Sequence, residues 1–337
     1  MAIIDANYYG VGGTRTTHGS YVVHSFLDSG TFTTGRAITG CYAIVVAGGG
    51  GGGYTTQGWI GGGGGAGGMW VLSNFTISVG SHDIIVGAGG HSLNNARWSS
   101  GYRVNGGLST EVMPSPYNVN GIASVTKSDI ANRNWGFKGE DSIAFGAVAD
   151  GGGGGAGYAG IYGTGQAGGC GGGSEGFDFS GSNGHPQSPT TMGWKLWAGF
   201  NGTGTGVAHG SPGGTGQTST KNGGGGGGAS EAGNIDGQSH GGDGITNYYR
   251  DGNSSGTTPA IHTFAGGGGG GRATAINNPG GDGGGGDGGA QTGNMSGANA
   301  TANSGSGGGG RGLYNQGGTT PVSGAGGSGI VILRIPA

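Results

Sequence analysis

The run Tyr42-Ala-Ile-Val-Val-Ala-Gly-Gly-Gly-Gly-Gly-Gly53 sets two different backbone instructions back to back. Tyr42 to Val46 is a short apolar stretch rich in β-branched residues, the composition of a buried strand. Gly48 to Gly53 has nothing to bury, and glycine loses more backbone entropy on ordering than any other residue. An ordered form open to such a block is the left-handed threefold helix, which rises about 3.1 Å per residue and makes no internal hydrogen bonds. Its N–H and C=O groups point outward and need partners on neighbouring chains, and helices without side chains can approach closely enough to supply them. Six residues would make about two turns and about 19 Å of length.

The same juxtaposition recurs in both directions along the chain. Glycine-dominated blocks lie at Gly48–Gly53, Gly61–Gly68, Gly151–Gly157, Gly168–Gly173, Gly223–Gly228, Gly266–Gly271, Gly280–Gly289 and Gly307–Gly312, with Ala66, Ala156, Cys170, Asp282 and Asp287 interrupting. Around them are β-type runs: Phe26 to Phe32, Met69 to Val79, Ile84 to Val86, Ile143 to Val148 and the closing Ile330-Val-Ile-Leu-Arg-Ile335. Consecutive blocks are expected to run antiparallel, which places their connecting inserts alternately at two ends. The expected fold is therefore mainly irregular and all-β: a polyglycine II sandwich framed by β-strands, with no α-helix. Residues 1–21 read as a leader or attachment segment and 22–337 as one glycine-rich domain, with strands within 22–47, 69–86, 108–113, 143–149 and 329–335. Flexible linkers are usually Gly/Ser mixtures, whereas here well-formed strands punctuate the blocks. Collagen is excluded because the glycines are contiguous and only nine prolines occur.

Of 337 residues 99 are glycine, which removes the chain from the ordinary globular class. The net charge of −3, with 13 Lys and Arg spread thinly, offers no footprint for a phosphate backbone, so nucleic acid is not an expected partner. Cys41 and Cys170 stand far apart and outside any metal-ligand spacing, and read as small packed residues. No run is long enough to span a bilayer, and the first residues lack the basic and apolar regions of a secretory signal.

Motifs for chemistry are weak. Gly163-x-Gly165-x-x-Gly168 matches a dinucleotide fingerprint, but such matches arise by chance at this glycine frequency, and no Gly-Lys-Ser/Thr occurs anywhere. Gly172-Gly-Ser174-Glu-Gly176 has the nucleophile-elbow spacing but lacks the preceding strand that would hold the serine strained and exposed. The eight histidines form no two-histidine metal spacing. Asp282 and Asp287 do not repeat in a calcium-binding register and read as caps for free backbone N–H groups. No catalytic residue, cofactor site or metal site is expected, and the chain does not read as an enzyme.

What remains is aromatic. Tyr54, Trp59, Trp98, Trp135, Phe177, Trp194, Trp197, Tyr248 and Tyr249 fall in the inserts and not in the blocks. Aromatic rings on polar loops suit an adaptable binding surface, although any single ring could equally cover a lattice face or pin its own loop.

Several of these segments, in this order, resemble the glycine-rich domain of phage tail fibre adhesins. They are Tyr42-Ala-Ile-Val-Val-Ala-Gly48 entering polyglycine, Gly61–Gly68 before Met69-Trp-Val, Ile77-Ser-Val-Gly with Ile85-Val-Gly-Ala-Gly-Gly90, and the closing Gly329-Ile-Val-Ile-Leu-Arg334. The likeness runs from about Val22 to the C-terminus. It implies a polyglycine II sandwich whose distal variable loops bind a bacterial surface protein or glycan. It further implies a virion protein of the tail fibre or tail tip that contacts other tail proteins, acts outside the cell and possesses a possible homo-oligomeric form. The aromatic inserts correspond by position to such loops. The short leader departs from the larger adhesins. The alternative reading is a structural protein that self-assembles into a virion decoration or extracellular filament.

Overall fold

The computed structural model describes residues 9–55, 59–91, 136–157, 163–176, 205–217, 219–250, 262–274, 278–291, 295–313 and 321–337. Its elements are twelve β-strands: β1 Thr14–His18, β2 Tyr21–Phe26, β3 Gly30–Thr34, β4 Ile38–Val46, β5 Met69–Ile77, β6 Gly80–Ile84, β7 Ser142–Ala144, β8 Ala147–Ala149, β9 Thr205–His209, β10 Ile245–Thr246, β11 Thr263–Phe264 and β12 Ile330–Pro336. No helical element occurs among the described residues. The expected strand at 108–113 lies outside them.

Six strands form one antiparallel sheet in the order β1-β2-β12-β4-β5-β9, and three two-stranded sheets, β3-β6, β7-β8 and β10-β11, accompany it. The C-terminal strand sits in the middle because Ile330-Val-Ile-Leu is apolar at every position and is covered on both faces. Val331, Leu333 and Ile335 point with Ala43 and Val45 into a cluster that also holds Phe32, Ile84, Ala144 and Phe145 from β3, β6 and the β7–β8 hairpin. Ile330 and Ile332 point the other way with Ile44, Val46 and Met69, onto Phe264 of β11 and onto Ala66, Cys170 and Ala229. Each fully buried Ile or Val contributes roughly 1.5–3 kcal/mol, so the two clusters hold the strands in a layered stack.

Beyond Val46 the hydrogen-bond pattern changes period. From Ala43 to Val46 each residue of β4 has its neighbours in one plane, β12 on one side and β5 on the other. From Ala47 the partners rotate through three directions. Ala47, Gly50 and Gly53 donate to the carbonyls of Gly68, Gly65 and Gly62; Gly48 and Gly51 donate to Glu140 and Phe137; Gly49 and Gly52 donate to Gly327 and Gly324. Partners that repeat every third residue define a threefold helix, and none of these glycines has a positive φ, which fixes the left-handed sense. The polyglycine II helix is thus present in the block whose composition called for it.

The next block lies at the centre of the lattice. Every N–H from Gly61 to Gly68 donates, in threefold rotation, to segments 305–311, 150–156 and 224–227. Its carbonyls accept from 47–53, 170–173 and 268–271, so one helix is bonded to six neighbours. The 47–53 and 61–68 blocks run antiparallel, as expected for consecutive blocks, whereas 224–227 runs parallel to 61–68 because Gly63 bonds Gly224 and Ala66 bonds Gly227. Where a block faces the sheet instead of another helix it carries a small side chain. Ala66 and Cys170 are fully buried against Met69 and Phe264, which confirms the reading of Cys170 as a packed residue, and Cys41 is likewise buried in the other cluster.

β1 pairs along its length with β2. Gly10, Gly12 and Gly13, all at positive φ, curl the chain around His24 and Phe32, and a Cβ on Gly10 would run into the Phe32 ring. The buried His24 ring places Nδ1 2.7 Å from the carbonyl oxygen of Gly12 and Nε2 3.2 Å from that of Tyr9.

Candidate functional site

Hydrogen-bond register orders the lattice from the sheet to its far end. At the sheet end Ala47 is level with Gly68, Gly68 with Asp150, and Gly67 with Gly305. At the far end Gly53 is level with Gly62, Gly61 with Arg311 and Gly271, Gly271 with Gly223, and Gly312 with Met295. Seven residues of threefold helix separate Ala47 from Tyr54, about 22 Å. The connections at 54–60, 157–163, 217–222, 272–278, 291–295 and 313–321 therefore leave the lattice at this distal end, and the turns at 229–231, 282–285 and 301–304 at the sheet end.

Four of the nine candidate aromatic residues fall within the described residues, and they separate into two places. Tyr54 and Trp59 are at the distal end. Trp59 is half-buried, and its carbonyl accepts the Thr55 hydroxyl at 2.8 Å. Tyr54 is only 2% exposed and lies under the Arg311 guanidinium, whose carbon is 4.8 Å from the ring centroid. It supports the tip from inside and is not displayed, because its ring fills the space where the first block ends. Tyr248 and Tyr249 are on the sheet. Tyr249 packs edge-on against Tyr42 at 5.8 Å and beneath Arg334, which also covers Tyr21 at 3.8 Å. Tyr248 is 52% exposed and lies against the His262 ring at 5.4 Å. Thus the aromatic inserts do not all gather at one end. Trp98, Trp135, Phe177, Trp194 and Trp197 lie outside the described residues. Gly136, which follows Trp135, is bonded into the lattice through Gly155, and Gly176, which precedes Phe177, through Ile60.

The distal end also brings together three cations that the aromatic reading passed over. Lys221 accepts at its carbonyl from Ala273 N–H, Arg272 accepts from Leu313 N–H, and Arg311 accepts from Gly61 N–H beside Gly271. Asn222 and Arg272 form an isolated bridge between the first two of these loops. Lys221 is exposed, Arg272 half-buried, and Arg311 buried over Tyr54. A sequence signal existed: each of the three stands within or within two residues of a pure glycine run, where any side chain is conspicuous.

Ionisable groups elsewhere have structural surroundings. Glu175, near the distal end, is 4% exposed, neither carboxylate oxygen has a hydrogen-bond partner among the described residues, and burial raises its pKa to about 7. Burial pushes both cysteine thiols up to about 12. For His24 burial is the largest influence and lowers its pKa, against the raising effect of the Gly12 and Tyr9 carbonyls. Glu231, Asp236 and Asp243 are the described side chains whose ligand atoms lie within metal-binding spacing, all within 4.8 Å of one another. Two of these carboxylates already accept backbone N–H groups: Glu231 from Asp243 at 3.2 Å and Asp243 from Asp282 at 2.7 Å. Asp287 caps the Gly280 N–H at 3.0 Å, the role its position in a glycine block suggested. No described helix is long and apolar enough to cross a membrane. In comparisons with known proteins, no family model and no curated protein matches the chain.

Proposed function

We propose that this protein is a receptor-binding protein of the phage tail fibre adhesin type, carried on the virion and presenting variable loops to a bacterial surface protein or glycan. The observation that carries the reading is the six-neighbour lattice, fixed by backbone bonds on every side, with six of its connections leaving at the end away from the sheet. A connection whose two ends are fixed by backbone bonds on every side starts from a limited set of conformations, so less ordering entropy is lost when it binds a partner. The lattice bonds belong to the blocks, so a connection can change in length and composition without disturbing its mount. That division of labour is what a recognition protein under pressure to change its target requires.

The purified, fluorescently labelled protein is expected to decorate particular strains in a panel of bacteria and to compete with phage for adsorption. Alanine substitution of Trp194 and Trp197 should weaken the decoration while the far-ultraviolet circular dichroism stays unchanged. Failure to decorate any strain, combined with concentration-dependent filaments in electron micrographs, would replace this reading with self-assembly.

A further inference from the structure

The flank of the lattice is cut by an open groove of about 430 Å³ between segment 213–217 and the turn 233–238. Gln217, at one end of it, begins the distal connection 217–222, and the size of the groove falls within the range of about 300–1,000 Å³ that small-ligand sites occupy. One wall presents side chains to solvent because its other positions are taken up in packing. A Cβ on Gly213 or Gly216 would strike the carbonyl of Gly172 or Glu175, and one on Gly214 would overlap the Asn234 amide, whereas Thr215 and Gln217 are exposed.

Asn234 fixes the opposite wall. Its Nδ2 donates to the Thr215 carbonyl at 2.7 Å, its Oδ1 accepts from the Gly225 and Ser239 N–H groups at 2.9 and 3.0 Å, and its own N–H donates to the His240 carbonyl at 2.9 Å. Gln238 adds a second tie across the groove, from Nε2 to the same Thr215 carbonyl at 3.0 Å. To reach these partners Asn234 adopts a φ of 71°, and Ser239 in the same turn has the same value. Glycine enters that left-handed region without strain, so in a chain with 99 glycines a side chain held there has a task. At Asn234 the task is to set the separation of the two walls.

With the walls tied, three polar groups are left over: the Gln217 amide nitrogen, the Gln238 amide oxygen and the Thr215 hydroxyl, none of which has a hydrogen-bond partner among the described residues. Beside them the Ile235 side chain is 66% exposed. No charged residue lines the groove, so an ionic ligand finds no counter-charge there, and a wholly apolar one would cover the amides without replacing their bonds to water. Donors and acceptors around one aliphatic side chain match a sugar ring, which carries hydroxyls at its edge and C–H groups on its faces. We propose that this flank groove is a subsite for an uncharged sugar unit of a bacterial surface glycan, held by Thr215, Gln217 and Gln238 and packed on Ile235. The inference rests on the receptor-binding reading and specifies its ligand. Because both walls are already fixed, few groups need ordering when the sugar binds.

The test uses the labelled full chain and cells of a strain that it decorates. Periodate treatment of the cells, which cleaves vicinal sugar diols, should reduce attachment about tenfold or more, and proteinase treatment should leave it unchanged. Raising the salt from about 50 to about 500 mM should alter attachment by less than about twofold, since no charge lines the groove. Ile235→Asp, and separately Thr215→Ala with Gln217→Ala, should each weaken attachment about tenfold and leave the thermal unfolding midpoint within about two degrees, because all three residues are exposed. Val79→Asp, at an apolar position of similar exposure between β5 and β6, should leave attachment unchanged. Resistance to periodate, loss on proteinase treatment, full retention by both groove variants, or equal loss in Val79→Asp would each overturn the subsite. If the protein decorates bacteria and both groove variants do so equally well, the subsite is refuted and the receptor-binding reading stands. If no strain is decorated, both fall.

Discussion

Replacing Gly64 by alanine tests whether the polyglycine blocks are a packed solid or a set of tethers. A Cβ at this position would lie 2.7 Å from the Gly50 carbonyl carbon and 2.8 Å from the Gly51 oxygen, and closer still to the Gly50 oxygen. Comfortable carbon contacts are about 3.5–4.0 Å, so either backbone must move by about an ångström. Neither is free to do so. Gly64 donates to Gly308 and accepts from Gly268, while Gly50 donates to Gly65 and accepts from Gly308. Loss of two such buried backbone bonds at about 1–3 kcal/mol each, with overpacking at about 1–3 kcal/mol, outweighs the 0.4–1 kcal/mol that alanine returns by restricting the unfolded chain. The net cost is about 2–8 kcal/mol, a large part of the stability of an ordinary domain. Gly30 is the control, since the nearest atom to a Cβ there is 4.0 Å away and its φ is not positive. Urea unfolding followed by tryptophan fluorescence should show the midpoint fall sharply for Gly64→Ala and stay within about 0.5 kcal/mol of the parent for Gly30→Ala. Equal midpoints for the two variants would mean that the blocks are loosely packed linkers.

Two further predictions concern buried ionisable groups. Burial holds Glu175 protonated in the fold up to a pKa of about 7, against 4.5 when the carboxyl is free in water. The folded pKa is the higher of the two, so the stabilisation is complete below pH 4.5 and declines as pH rises through about 7, by at most about 3 kcal/mol. Glu175→Gln should therefore match the parent or fall slightly below it at pH 4 and exceed it at pH 8 in the same urea experiment, and a parallel pH dependence in both proteins would refute the assignment. Cys41 and Cys170, buried with thiol pKa values of about 12, should not react with an aromatic disulfide reagent at pH 8 in the native protein, and both should react once urea unfolds it. Rapid labelling of either thiol in the native state would show that its cluster is open to solvent.

How far the sequence disclosed this fold depends on which interaction each feature reports. Tyr42 to Gly53 was legible because strand and threefold helix demand opposite things of a side chain, and the sequence switches from one to the other at a single residue. Ala66 and Cys170 were legible as packed residues, but not as markers of where the lattice touches the sheet, since that depends on chains more than a hundred residues apart. The parallel pairing of 63–66 with 224–227 left no trace, because two polyglycine helices bond equally well in either direction. Strand β1 left no trace for a related reason: Thr14-Arg-Thr-Thr-His18 is polar, as an edge strand can be, and only its pairing with β2 reveals it.

The candidate site was legible in kind and not in position. Aromatic residues in inserts were visible, but an insert has no intrinsic end; its end is set by the direction of the block it leaves. Tyr54 and Tyr249 have similar sequence surroundings in that each is a tyrosine beside a polar run, yet one closes the lattice under Arg311 and the other lies on the sheet under Arg334. In both cases a cation from a distant segment turns the aromatic ring into part of the support, which leaves Trp59 and Tyr248 as the more accessible members of the described set. The cations followed the opposite rule. A side chain inside a glycine lattice is excluded unless it faces outward or has a built space, so Lys221, Arg272 and Arg311 could occur only where blocks end, and the ends were hidden until register ordered them. In a lattice whose interior is nearly free of side chains, the few charged residues beside the blocks therefore carry more positional information than the many rings in the inserts.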